Sequence, residues 1–194
     1  MTPDHADKME ITVVFQCPLQ EMDGDFMTRG SMIGLPIMVA KALTAAVAII
    51  AWRRNQKVVI VKYSDTYSYK NLGNKPSSIG ELSKFLSVPD MGGGNNENRM
   101  FQGIFTEIKP TLPEYDTADV LCVSDFGWGL IDDGTKKLIE NEKQNGMRIY
   151  GLNVYAQRPY GMFGYDGMLD GYYTPRDVCD SLWVYEDGEC RDMG

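Results

Sequence analysis

Apolar runs alternate with helix-spaced apolar positions along this chain. Residues 10–17 (EITVVFQC) are β-branched and aromatic and stop at Pro18, which predicts a strand ending in a loop. Residues 32–52 are apolar apart from Lys41, Thr44, Gly34 and Pro36, a long helix with Ser31 as its N-cap and Arg53-Arg54 complementing its negative end. Residues 57–64 (KVVIVKYS) read as a strand buried on both faces. Residues 66–70 (TYSYK) alternate after the tight Ser64-Asp65 step, so the two predict a hairpin at a sheet edge. From 77 to 86, Ser-Ser followed by Glu81 opens a segment that spaces Ile79, Leu82, Phe85 and Leu86 at helical intervals. Beyond the glycine-rich loop 92–96, Met100, Phe101, Ile104, Phe105 and Ile108 share one helical face that Lys109-Pro110 is expected to end. Then come a buried strand at 118–124 (ADVLCVS), a charged helix at 132–145 stopping at Gly146, and a strand at 147–154 (MRIYGLNV). A Gly/Tyr-rich loop follows over 158–173, and the last strand is 181–186 (SLWVYE).

Strands that alternate with helices, each a near-continuous apolar run, predict a three-layer α/β/α Rossmann-like sheet, mostly parallel with one antiparallel edge strand. A single domain over 10–187 is expected, with a flexible N-terminus at 1–9 and a tail at 188–194; 194 residues, 43% hydrophobic and 24% charged, suit one folded unit. The C-terminal ends of such strands form the rim where ligands bind, so the loops 18–31, 92–96 and 125–130 should meet there. The 32–52 helix approaches the length of a bilayer span. Lys41 near its middle and six alanines favour instead a fully covered helix of a layered domain.

Charge and chemistry narrow the function. With 19 Lys and Arg against 27 Asp and Glu, the net charge of −8 repels a phosphate backbone, so nucleic acid is not the expected partner. His5 is the only histidine, which removes Ser-His-Asp and Cys-His catalysis and multi-histidine zinc sites. Cys17, Cys122, Cys179 and Cys190 form no CxxC pair and read as reduced core thiols. The polar, acidic start lacks a secretory pattern, and a cytoplasmic location is expected. The GGGNN loop lacks the Lys-Ser/Thr of a phosphate-binding loop and does not follow a strand directly. Asp23, Asp25 and Asp125 could form a two-metal hydrolytic centre, although no companion base accompanies them. The aromatic residues between Tyr155 and Tyr173 suit either a partner surface or packing onto the sheet end.

Several segments occur in a telling order: Gly30-Ser31-Met32 opening the Ala-rich helix, VVIVKYSD, FLS before GGGN, ADVLCVSDF, and DSLWVYEDG. Together, over most of the chain, they resemble a von Willebrand factor A domain, closest to the ViaA-like bacterial branch that works with MoxR-type AAA+ ATPases. The resemblance implies a non-catalytic protein-interaction module rather than an enzyme. It also implies a metal-ion-dependent adhesion site, in which Mg²⁺ takes oxygens from an Asp-x-Ser-x-Ser loop, a Thr and a later Asp. Here Ser31 matches the second serine and Asp125 the last aspartate. Met27 stands where the first Asp belongs and Arg29 where the first Ser belongs; the other register offers Gln16 and Pro18. Gly94 replaces the Thr, with the Asn95 amide beside it. A degenerate site is therefore expected, holding Mg²⁺ weakly through Ser31, Asp125 and a carboxylate from the acidic loop, Asp25 or Asp23. Ser31, Asn95 and Asp125 are the expected partner-binding residues, and a MoxR-type ATPase is the first partner to try. The alternatives are a metal-dependent hydrolase using the acidic loop and a structural assembly subunit whose metal site has decayed.

Overall fold

The computed structural model describes residues 10–16, 32, 35–88, 96–154, 174–186 and 188–193. Its strands are β1 (Glu10–Gln16), β2 (Lys57–Tyr63), β3 (Tyr67–Gly73), β4 (Asp119–Ser124), β5 (Ile149–Asn153), β6 (Ser181–Glu186) and β7 (Glu189–Asp192). Its helices are α1 (Leu35–Arg53), α2 (Ile79–Ser87), α3 (Glu97–Gly103), α4 (Lys109–Thr111), α5 (Asp133–Gln144) and α6 (Pro175–Val178). The strands make one sheet in the order β3-β2-β1-β4-β5-β6-β7. β1 pairs parallel with β2 and β4, β4 with β5, and β5 with β6, whereas β3 and β7 run antiparallel at the two edges. The mostly parallel sheet is the one the apolar pattern predicts. Its second antiparallel edge, β7, comes from residues expected to form a tail.

Strand period separates the core into two halves. Val13, Val58, Ile60 and Val123 face α1 and α2, and Val14, Val59, Val61, Tyr63 and Cys122 face the layer of α3, Ile104–Ile108 and α5. The charge inside the β2 run has a local reason. Lys62, 1% exposed, donates from Nζ to the Val88 carbonyl at 2.9 Å, at the negative end of α2, and lies 4.4 Å from the Phe85 ring centre.

Several boundaries differ from expectation. α1 starts at Leu35, so a helix opening at Met32 behind a Ser31 cap is three residues too early. Only one stripe of α1 meets the sheet (Pro36, Ala40, Thr44, Ala48, Ala51 and Trp52), while Leu35, Met38 and Ile50 are exposed. Full cover of this helix is thus not observed. It is long and apolar enough to cross a membrane by length and composition, and 33% of that window is buried. Ser78 makes no side-chain cap for α2; its hydroxyl donates to the Leu72 carbonyl and Glu81 pairs with Lys70. The helix expected to end at Lys109-Pro110 continues to Thr111. Ile104–Ile108 is a π-helical turn in which the Lys109 N–H reaches back to the Ile104 carbonyl, and the wider turn carries the chain into Pro110, which has no N–H to place. Cys122 and Cys179 are buried free thiols, but Cys190 is exposed on edge strand β7, outside the core predicted for it.

Candidate functional site at the C-terminal rim

β1 and β4 are neighbours whose connections leave in opposite directions, β1 to β2 through α1 and β4 to β5 through α5, and the rim beside this reversal is where such folds place ligands. Asp125 follows β4 directly and is 5% exposed; its Oδ1 accepts the Gly127 N–H at 3.0 Å, closing a tight turn. Between them, Phe126 adopts φ +52°, a conformation bulky side chains avoid. It is held there by its N–H donating to Ser124 Oγ at 2.9 Å and by its ring tilting against Trp128, with centres 4.8 Å apart. The Tyr63 hydroxyl donates to the same Ser124 Oγ at 3.3 Å and accepts from Trp128 Nε1 at 3.0 Å, so β2, β4 and the loop after β4 are tied together.

α3 delivers a second carboxylate. Asn96 caps it, accepting the Arg99 N–H at 2.9 Å, while the Asn96 N–H donates to the Ser64 carbonyl at 2.9 Å and fixes the helix start to the end of β2. This places Glu97, the first residue of α3, against the loop after β4. It is 2% exposed, and Oε2 accepts the Gly129 N–H at 3.3 Å. Glu97 Oε1 and the buried Ser64 Oγ have no hydrogen-bond partner among the described residues. Burial pushes the Glu97 carboxyl up from its ordinary 4.5 to about 7, and repulsion from Asp125 adds to this, against the lowering effect of N–H bonds from its own backbone and Gly129. Burial also holds the Tyr63 phenol well above its usual range, with the Glu97 charge contributing. Asn98 completes the stitching, donating to the Leu130 carbonyl at 2.7 Å and accepting the Asp132 N–H at 2.9 Å.

Of the residues singled out in the sequence, the structure places Asp125 at this rim; Ser31, Asn95, Asp25 and Asp23 lie outside the described residues, as does the 155–173 loop. Glu97 was missed. Its only signal was a carboxylate directly after the GGGNN loop at a helix start, where an acidic residue ordinarily just complements the helix dipole. Asp125 and Glu97 offer the hard oxygens that Mg²⁺ takes but are too few to fill its octahedron, and no group of three or more His, Cys, Asp or Glu suited to a metal is found among the described residues. What the arrangement supplies is a desolvated acidic pair with one buried carboxylate oxygen that lacks a hydrogen-bond partner among the described residues.

No family model and no curated protein matches the sequence. Solved structures do match in fold. BatB from Bacteroides thetaiotaomicron aligns with TM-score 0.53 at 13% identity, over 75% of this chain and 66% of its own, just under two thirds of that protein. An aerotolerance-related membrane protein from Bacteroides fragilis aligns with TM-score 0.54 at 12% identity, over 95% of this chain and 81% of its own. Proximal thread matrix protein 1 from the mussel byssus aligns with TM-score 0.53 at 13% identity, over 75% of this chain and 35% of its own. With the strand order and edge pairing above, these likenesses establish that the chain has a von Willebrand factor A-like fold.

Proposed function

We propose that the chain is a non-catalytic protein-interaction module that binds its partner at the C-terminal rim of the sheet. The observation that carries this reading is the buried pair Asp125 and Glu97, whose Oε1 has no hydrogen-bond partner among the described residues. A Lys or Arg side chain of a partner would satisfy that oxygen and relieve the repulsion between the two carboxylates. Ser31, which matches the family's second serine, and Asn95, beside the glycine that stands for its Thr, belong to the proposed contact. A Mg²⁺ ion there would be held by Asp125 and Glu97 with water and would supply a positive site for an acidic partner group. Direct contact is the reading the unsatisfied acid favours.

A MoxR-type AAA+ ATPase is the first partner to test, by calorimetry with wild type, Asp125→Asn and Glu97→Gln, each with Mg²⁺ and with EDTA. Direct contact predicts binding that EDTA leaves unchanged and that Asp125→Asn weakens by about thirtyfold or more, the usual loss when one member of a desolvated charge pair is neutralised. Binding that EDTA abolishes would replace direct contact with a metal bridge. Undiminished binding by both variants would remove the rim from the interface. The hydrolase alternative predicts Mg²⁺- or Mn²⁺-dependent turnover in a phosphatase and nuclease panel, lost in Asp125→Ala.

A further inference from the structure

α1 is apolar around most of its circumference, yet only one stripe of it is fully buried: Val39, Leu43 and Val47 are half-covered against the core, and the outer face has no neighbour among the described residues. A helix of that kind normally has neighbours on all sides. Leu35, Met38 and Ile50 are 72%, 66% and 49% exposed, and Ile79 at the start of α2 is 53% exposed. Between α1 and α2 runs an open groove of about 350 Å³. Ala42, Ala45 and Ile49 line one wall with Lys41, and Ile79 and Leu86 belong to the other. The small alanines let another backbone approach closely, and the two flanking helices make the surface concave.

The charge lining the groove is opposite to that of the whole chain: Lys41 is its one charged lining residue and no Asp or Glu lines it, in a protein of net charge −8. No Asp or Glu occurs from 32 to 64, and Glu81 is already engaged with Lys70 at 3.2 Å. Lys41 in the groove wall and Arg53 and Arg54 at the end of α1 have no ion-pair partner among the described residues.

We propose that the groove between α1 and α2 docks an amphipathic helix of a partner protein whose apolar face fills the groove and whose flanks are acidic. The occupant follows from shape and charge together. A flat bilayer would rest on Leu35, Met38 and Ile50 without filling the space beside Ala45, whereas a helix inserts into it. A second copy of this chain, docked groove to groove about a twofold axis, would bring two Lys41 ammonium groups together without a counter-charge. This surface is independent of the carboxylates at the rim.

The test uses the full chain and a labelled synthetic helix about three heptads long, with Leu at a and d and Glu at the flanking positions, beside a twin with Lys in place of Glu. Fluorescence anisotropy should show the acidic peptide binding about tenfold or more tightly than its basic twin, a margin that salt reduces. Lys41→Glu should reverse the preference, and Ala45→Trp, which fills the groove, should abolish binding of both peptides. Asp125→Asn should leave peptide binding unchanged, which separates failure here from failure of the rim reading. Equal binding of the two peptides, or binding of neither, overturns the proposal. So does concentration-dependent dimerisation that Ala45→Trp removes, or partition onto phosphatidylcholine/phosphatidylglycerol vesicles without peptide binding.

Discussion

Glu97→Gln should stabilise this protein at neutral pH, contrary to what deleting a hydrogen-bonded buried group normally does. The carboxyl is raised from 4.5 to about 7, chiefly by burial. At about 1.4 kcal/mol per tenfold change in acidity, the ionised group is roughly 3 kcal/mol worse off in the fold than in the unfolded chain. The folded pKa lies above the unfolded one, so the native state holds the proton more tightly. Below about pH 4.5 both states are protonated and nothing is lost; stability then falls as pH rises through about 7, where the full penalty is present. Glutamine keeps an oxygen for the Gly129 N–H, carries no charge, and should show no such fall. The variant and wild type should be nearly equal at about pH 4 and differ by roughly 3 kcal/mol at about pH 8, on the order of 6–12 °C in melting temperature for a chain of this length. Urea unfolding followed by tryptophan fluorescence across that range measures it. Asp125→Asn should shift the wild-type fall to lower pH by removing the repulsion. Parallel profiles for wild type and Glu97→Gln, or a glutamine variant less stable at the higher pH, would refute the reasoning.

Gly103→Ala should cost about 1–3 kcal/mol by overpacking, because a Cβ there would lie 2.2 Å from Cζ of the Tyr67 ring and push it off its bond to Glu107. Thermal melts should show most of that cost vanishing when the same change is made in a Tyr67→Ala background. Glu142→Ala should cost about 3–5 kcal/mol in urea unfolding, since it leaves the Lys109 ammonium, 8% exposed, with only the more distant Asp116 at 3.6 Å. Lys109→Met, which removes the charge and keeps the bulk, should cost clearly less; equal losses would show that the pair is not behaving as a buried one.

The parts of the fold legible in the sequence are those whose burial is itself the signal. β2 and β4 are covered on both sides and announce themselves as apolar runs, while β6, only half-covered, is legible from its aromatic and β-branched residues, and 181–186 is matched at both ends. β7 was not readable because Glu-Cys-Arg-Asp has no apolar period. All four residues are exposed, and the strand exists through its pairing with β6 across a turn at Gly188, φ +87°. The passage of the helix through Lys109-Pro110 was hidden because a π turn is a matter of hydrogen-bond register, which residue types do not encode. In α1 the pattern revealed an apolar helix but not how many sides of it have neighbours. At the site, Asp125 was legible as an aspartate ending a buried strand. Glu97 was not, because its character comes from burial against Gly129, 32 residues away.

The same contrast bears on why the rim should be the working surface. Phe126 at φ +52° costs about 1–3 kcal/mol for a bulky residue, whereas the other non-glycine residue at positive φ, Asn55, is of a type that tolerates it. A buried oxygen without a partner costs about as much, and both Ser64 Oγ and Glu97 Oε1 lie at this end of the sheet. Single substitutions such as Glu97→Gln would remove much of this cost, so stability alone gives no reason to keep these features. Binding does. A partner donor that reaches Oε1 recovers in the complex what the free domain lacks, and Phe126, packed on Trp128 and hydrogen-bonded to Ser124, keeps Asp125 in place for it beforehand. Apart from Thr44 Oγ1, buried on α1 within the core, the unfavourable groups named here gather where the strands end, the distribution expected when they are kept for recognition.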